Sequence, residues 1–364
     1  MTMTHETHRL ASGTPEHAGA ESPRQPWGWS QWLAVAALPL LFLEGWTLIA
    51  WLMDGPHQVT AFRGHSHGLE WWGAHIAEAA VIAISLIVLT KVVRDCLRQR
   101  RILTFDVMLC VCTALMIWGC GGLNVFQPNF VYTSEFVNLN DVCGHLPFVV
   151  NPDCGRLPFP VIFLGLLFTF GLPGIAMLVD AVVVRPARRR WPHLSNAKLL
   201  GLILVATAVI SLAEPLVIIP LHLWSYPGAP WAVHLGGDAW RWPIFPEYGV
   251  FILFAGLPAA LRNLRDDQGR TIVERGLDRY RPGLRTVITL LATYTLIQLV
   301  LWVPGTMPDW ILGWRATNWA RLPLSVNNGL CDQPGVIEGT RYGPCPGSPG
   351  YRMPVSGSLA GKSP

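Results

Sequence analysis

Long apolar runs alternate with short polar connections along most of this chain. The runs cover about 32–53, 72–93, 103–126, 159–182, 199–223, 245–262 and 285–304. A helix needs about 20 apolar residues to cross a hydrocarbon layer. The pattern therefore predicts an all-α integral membrane protein, a bundle of about seven transmembrane helices with ordered external loops. The sixth run is short and contains Pro258. A broken or re-entrant helix there, leaving six spans, is the alternative.

The basic residues set an orientation. Lys91, Arg94, Arg98, Arg100 and Arg101 fall in the second connection. Arg185, Arg188, Arg189, Arg190 and Lys198 fall in the fourth, and seven arginines from Arg262 to Arg285 in the sixth. The odd connections hold little beyond Arg63, Arg156 and Arg241. The positive-inside rule then places the N-terminus in the cytoplasm and the C-terminus outside. Four regions follow: a disordered cytoplasmic tail over 1–30, the bundle over 31–305, an external tail or cap over 306–354, and a disordered Gly/Ser/Lys/Pro end over 355–364.

Composition sharpens this picture at two points. Charged residues make up 14% of the chain, against about 25% in soluble domains. The net charge of +4 is small and the arginines are split among connections, which excludes nucleic acid as a partner. Of eight cysteines, Cys143 and Cys154 share the third connection, and Cys331 and Cys345 share the tail. Both pairs fall on the oxidising side of the predicted topology, so two local disulfides are expected.

Three carboxylates, Glu44, Glu78 and Glu214, lie inside the apolar runs. Ionisable residues at membrane depth are costly and mark functional sites. At 1.5 Å per residue all three lie roughly 9–14 Å below the outer boundary, a depth compatible with one shared cavity. His75 sits one turn before Glu78, on the same face. These four are the candidate catalytic residues, a buried acid and an ionised base being what proton transfer requires. Asn129, Tyr132, His222, Trp224 and Glu247 are candidate substrate-binding residues around the outer rim. No nucleotide-binding glycine motif, HExxH motif or nucleophile elbow occurs, and no cofactor or metal is expected.

The run Trp51-Leu-Met-Asp-Gly-Pro56, the segment Phe126-Gln-Pro-Asn-Phe130 before Tyr132, the run Asn328-Gly-Leu-Cys331, and the tail from Gly339 to Arg352 resemble the AveC-like spirocyclase family, from about 35 to 354. The resemblance implies a multi-pass protein of the bacterial cytoplasmic membrane that tailors polyketides. It implies a cofactor-independent cyclase or dehydratase, acting on a hydrophobic polyketide substrate among membrane lipids. Spiroketal formation from a dihydroxy-ketone, with loss of water, is the reaction of the named member. A transporter or lipid-handling protein with a proton-coupled carboxylate site is the competing expectation, and a structural partner in a membrane complex is the third. The oligomeric state is open.

Overall fold

Apolar length fixes most of the architecture. In the computed structural model the described residues are 27–62, 68–151, 154–229, 231–235, 237, 240–314, 319–340, 343–345 and 348–351. Six helices are long and apolar enough to cross a membrane: α1 (Trp29–Asp54), α2 (Leu69–Gln99), α3 (Phe105–Asn124), α4 (Val161–Arg190), α5 (Asn196–Ile218) and, near the end, α7 (Pro282–Gly313). The seventh run forms α6 (Gly249–Asn263), only 15 residues long. At 1.5 Å per residue it spans about 22 Å, short of a hydrocarbon core. Its start is delayed because Phe245, ahead of Pro246, takes extended dihedrals (φ −117°, ψ 127°). Of the tail expected over 1–30, residues 1–26 lie outside the described residues, as does 355–364, and α1 already begins at Trp29.

Local signals account for the helix ends. The Thr104 side chain accepts from Val107 N at 3.4 Å and opens α3. Ser195 does the same for Lys198 N at the start of α5. The α2 helix closes on Arg100, which turns left-handed (φ 50°) and donates its N–H to carbonyls of the last turn.

Each long helix divides its faces as a bilayer requires. On α2, Glu78, Val81, Ser85, Val88 and Val92 point inward, three or four residues apart. Ile76, Ile84, Leu86 and Ile87 point outward and are exposed. The α1 helix packs along α7, and α6 sits between α4 and α5. Close approach uses small residues. A Cβ on Gly122 would stand 2.9 Å from the Trp302 ring, and one on Gly119 would collide with Leu301.

At the loop-rich end three two-stranded pairs tie the connections together. Here β1 (Val131–Tyr132) pairs with β4 (Trp224–Ser225), β2 (Leu139–Asn140) with β3 (Pro158–Phe159), and β5 (Ala232–His234) with β6 (Arg241–Pro243), all antiparallel. Disulfides join Cys143 to Cys154 and Cys331 to Cys345, as the topology predicts. The segment after α7 folds back onto these loops. Ala320 N donates to Pro227 O at 3.2 Å, Ser134 N to Ser325 O at 2.7 Å, and the Tyr351 hydroxyl to Gln127 Oε1 at 2.6 Å. One apolar core runs from Leu109 and Trp118 in the bundle to Phe136, Trp224 and Tyr226 in the loops.

The last helix differs from the expected 285–304. It continues to Gly313 by widening over Leu301–Thr306, where π-type turns absorb Pro304. Comparable wide turns occur at Leu167–Gly171, Asp180–Val184 and Glu214–Ile218. Such turns are frequent at functional sites.

Candidate functional site

Three of the irregular segments deliver acids to one place. Pro215 has no N–H, so the end of α5 cannot keep regular hydrogen bonds; it widens, and Ile219 N reaches Glu214 O at 3.1 Å. The kink at Phe245 sets Glu247 just before α6. The wide turn in α7 carries Asp309 to the same level. Glu214, Glu247 and Asp309 retain 5%, 4% and 3% of their accessible surface, so all three are shut away from solvent.

Tyr226, immediately after β4, links them. Its hydroxyl lies 2.8 Å from Glu247 Oε2 and 3.2 Å from Glu214 Oε1. Burial, then the nearby Glu214 and Glu247, push the Tyr226 phenol well above the usual tyrosine range, so it is a neutral donor. Two indoles complete the shell of Glu214. Trp224 Nε1 donates to Oε1 at 3.3 Å, and Trp242 Nε1, from β6, donates to Oε2 at 3.0 Å.

Glu247 Oε1 receives no N–H or O–H donor from the described residues. The Asp309 carboxyl is the acid beside it. Two carboxyls bond to each other only through a proton that one of them keeps. Asn129 Nδ2 approaches Asp309 Oδ1 at 3.5 Å and its main-chain oxygen at 3.3 Å. Asn124 holds Asn129 in turn, its Oδ1 accepting from Asn129 N at 2.8 Å and Phe130 N at 3.0 Å. The donors to the cluster are thus phenol, indole and amide groups, neutral throughout. The arrangement can hold a proton on one carboxyl pair and accept one on the neighbouring carboxylate.

The other sequence candidates lie in separate surroundings. Glu44 accepts from the Tyr294 hydroxyl at 2.7 Å, between α1 and α7. Glu78 accepts from Val137 N at 2.8 Å, pinning α2 to the third connection. His75 does not hydrogen-bond to Glu78; its Nδ1 meets Trp71 O at 2.9 Å and its ring stacks on Trp71 at 4.2 Å. His222 takes a left-handed backbone (φ 60°), places Nδ1 3.0 Å from Glu70 Oε1, and stacks on Trp240 at 3.4 Å. Tyr132 is buried edge-on to Phe130 at 4.7 Å. Of the nine candidates, Glu214, Glu247, Trp224 and Asn129 come together.

Asp309, Tyr226 and Trp242 are members that the sequence reading does not assign to the site. Asp309 fell beyond a span read as ending at Pro304. The signal was present in Pro304-Gly-Thr-Met-Pro308, a run that interrupts a helix just before an acid. Tyr226 lies just past the fifth apolar run, where nothing in the sequence pattern marks it.

The family description "Spirocyclase AveC-like" matches residues 99–327, more than half of the chain. The matched stretch contains the Phe126–Phe130 segment and Asn129, Glu214, Tyr226, Glu247 and Asp309; Glu44, Glu78 and the Trp51–Pro56 run precede it, and the Asn328–Cys331 and Gly339–Arg352 runs follow it, so the match is shorter than the expected 35 to 354. No curated protein and no solved structure matches the chain. The chain belongs to the AveC-like spirocyclase family, which supports a polyketide-tailoring cyclase function at family level.

Proposed function

We propose that this protein is a membrane-embedded cyclase and dehydratase that closes a spiroketal from a dihydroxy-ketone polyketide, releasing one water at the Glu214–Glu247–Asp309 cluster. The observation that carries the reading is the Tyr226 hydroxyl set between two buried carboxyls, 2.8 Å from Glu247 and 3.2 Å from Glu214.

The reaction needs only proton transfers. The first hydroxyl adds to the ketone; its proton passes to a carboxylate while the carbonyl oxygen gains a proton, giving a hemiketal. A carboxylic acid then protonates the hemiketal hydroxyl. The C–O bond breaks, water departs, and an oxocarbenium ion remains. The second hydroxyl attacks that carbon and gives its proton to the conjugate base, so the acid is restored. In this reading the Glu247–Asp309 pair gives its proton to the carbonyl oxygen and regains one from the second hydroxyl. Glu214, held by two indoles, takes the first hydroxyl's proton, returns it to the hemiketal hydroxyl as water leaves, and as a carboxylate stabilises the cation. Asn129 and Tyr226 hold the acids and the substrate oxygens in line. The aromatic wall of Phe130, Tyr132 and Trp224 excludes water and offers ring faces to the cation. With the arginine-rich connections in the cytoplasm, the cluster faces the outer leaflet, and a greasy substrate enters from the lipid.

The test incubates detergent-purified protein with a dihydroxy-ketone polyketide and follows loss of one water by mass spectrometry. E247Q, D309N and E214Q are expected to abolish it; E44Q and E78Q are expected to retain it. Full turnover by all three cluster variants would refute the assignment. A second reading, proton-coupled transport, draws on the same proton-sharing pair within a membrane bundle. Uptake of unchanged substrate into sealed proteoliposomes, with no water lost, would favour it.

A further inference from the structure

At the opposite, arginine-rich end, a cleft of about 370 Å³ opens between α2 and the start of the Arg185 turn of α4. Its α2 wall carries Ile87, Thr90, Lys91, Arg94, Asp95 and Arg98, with Ile87, Lys91, Arg94 and Arg98 at spacings of four, three and four residues. Arg185 closes the other side. The positive charges here are not all answered. Lys91 is paired with Asp95 at 2.6 Å, and Arg185 with Asp180 at 2.8 Å. Arg94 and Arg98 form no ion pair or hydrogen bond among the described residues; their charges reach at longer range Asp95, the acid of this lining, which Lys91 already binds. At the other end of the stripe Ile87 is 71% exposed, an apolar surface facing outward. Seven residues of helix, about 10 Å, separate Ile87 from Arg94. That distance runs from the acyl region of a leaflet to its headgroups.

We propose that this cleft binds the phosphate of an anionic phospholipid, with Arg94, Arg98 and Arg185 around the headgroup and an acyl chain lying along Ile87. A basic pocket between spanning helices, apolar on its membrane side, presents the chemistry of such a headgroup. Arginine suits it, because the guanidinium fork gives two parallel N–H donors to a phosphate. Free phosphate shares the anion but lacks the chain, so only a lipid uses the Ile87 side. The site is independent of the acid cluster and of the activity proposed for it.

The experiment uses the full chain in detergent micelles doped with dioleoylphosphatidylglycerol, dioleoylphosphatidylcholine or inorganic phosphate, read by native mass spectrometry. Phosphatidylglycerol is expected to remain bound at one copy per chain and phosphatidylcholine to be lost. R94Q/R98Q should weaken retention about 30-fold, the equivalent of about 1 kcal/mol for each basic residue. R189Q/R281Q removes the same charge from exposed positions outside the cleft and should leave retention unchanged. Unchanged retention by R94Q/R98Q, equal retention of phosphatidylcholine, or full displacement by equimolar inorganic phosphate would each overturn the proposal. Should the double variant fail to fold, single R98Q carries the same test, with about a fivefold loss expected.

Discussion

Replacing Tyr226 by phenylalanine tests the acid cluster most directly. The ring would stay in place against Phe130, 4.8 Å away, while one oxygen is removed. That oxygen carries a single proton but faces two carboxyls, at 2.8 Å and 3.2 Å. It donates to one of them, and the other contact requires a proton on the carboxyl itself. Without the phenol, Glu214 keeps its two indole donors, but Glu247 retains only Asp309. A hydrogen bond to a charged group contributes about 1.5–3 kcal/mol, more where the partner is left buried and unpaired.

At about 1.36 kcal/mol per tenfold in rate, the same energy predicts a loss of tenfold to a hundredfold in turnover. The pH–rate profile should also move, because the phenol couples the acid to the base. The assay is water loss by mass spectrometry across pH, beside thermal unfolding in detergent. Y248F is the matched control: Tyr248 follows Glu247 and its ring packs on Trp242 at 5.7 Å, but its hydroxyl donates to Ala208 O at 2.9 Å and not to an acid. It should lose about 1 kcal/mol of stability and no activity. Wild-type turnover with an unmoved profile in Y226F would refute the claim that the cluster works as a unit.

Three further outcomes follow from other parts of the molecule. Burial raises Asp141 from 3.8 to about 7, against the opposing Cys143 N–H. A carboxyl raised on folding stabilises the fold fully below about pH 4 and loses that contribution as pH climbs toward 7, a change of about 4 kcal/mol at 1.36 kcal/mol per pH unit; pH-dependent unfolding should therefore flatten over this range in D141N. Arg262 forks onto Asp106 at 2.8 Å and 3.2 Å and reaches Asp180 at 2.8 Å, so R262A should cost about 3–5 kcal/mol in detergent unfolding, and R262K, lacking the fork, should restore only part. The Cys331–Cys345 bridge closes a 14-residue separation, and C331S/C345S should cost about 3 kcal/mol and expose the tail to limited proteolysis, whereas an unchanged cleavage pattern would show that the tail is held by its other contacts.

The spans were legible because their signal is length and apolarity, which no packing detail alters. Predicted and observed limits of α1 differ by three residues or fewer, and Pro258 is tolerated inside α6. Disulfide partners were legible because topology put each pair in one short stretch. Counting residues from a span end gives one coordinate for Glu44, Glu78 and Glu214. Helix azimuth and packing decide which acids meet, and these are tertiary properties. Pro304 read as a stop because a regular helix cannot hold it; the wide turn at Leu301–Thr306 holds it and carries the chain on to Asp309.

The two ends of the bundle therefore use charge in opposite ways. At the arginine-rich end each buried acid has a guanidinium: Asp106 and Asp180 both meet Arg262, and Asp180 also meets Arg185. Those acids are neutralised by fixed counter-ions and serve as a clamp between α3, α4 and α6. At the loop-rich end the donors to Glu214, Glu247 and Asp309 among the described residues are neutral phenol, indole and amide groups. A fixed cation settles the charge of its partner once, whereas a shared proton can leave and return. Widened turns place the second group where regular helices would not. Backbone irregularity in a membrane bundle is tolerated where it is buried in protein, and here it brings together the acids whose protons can move.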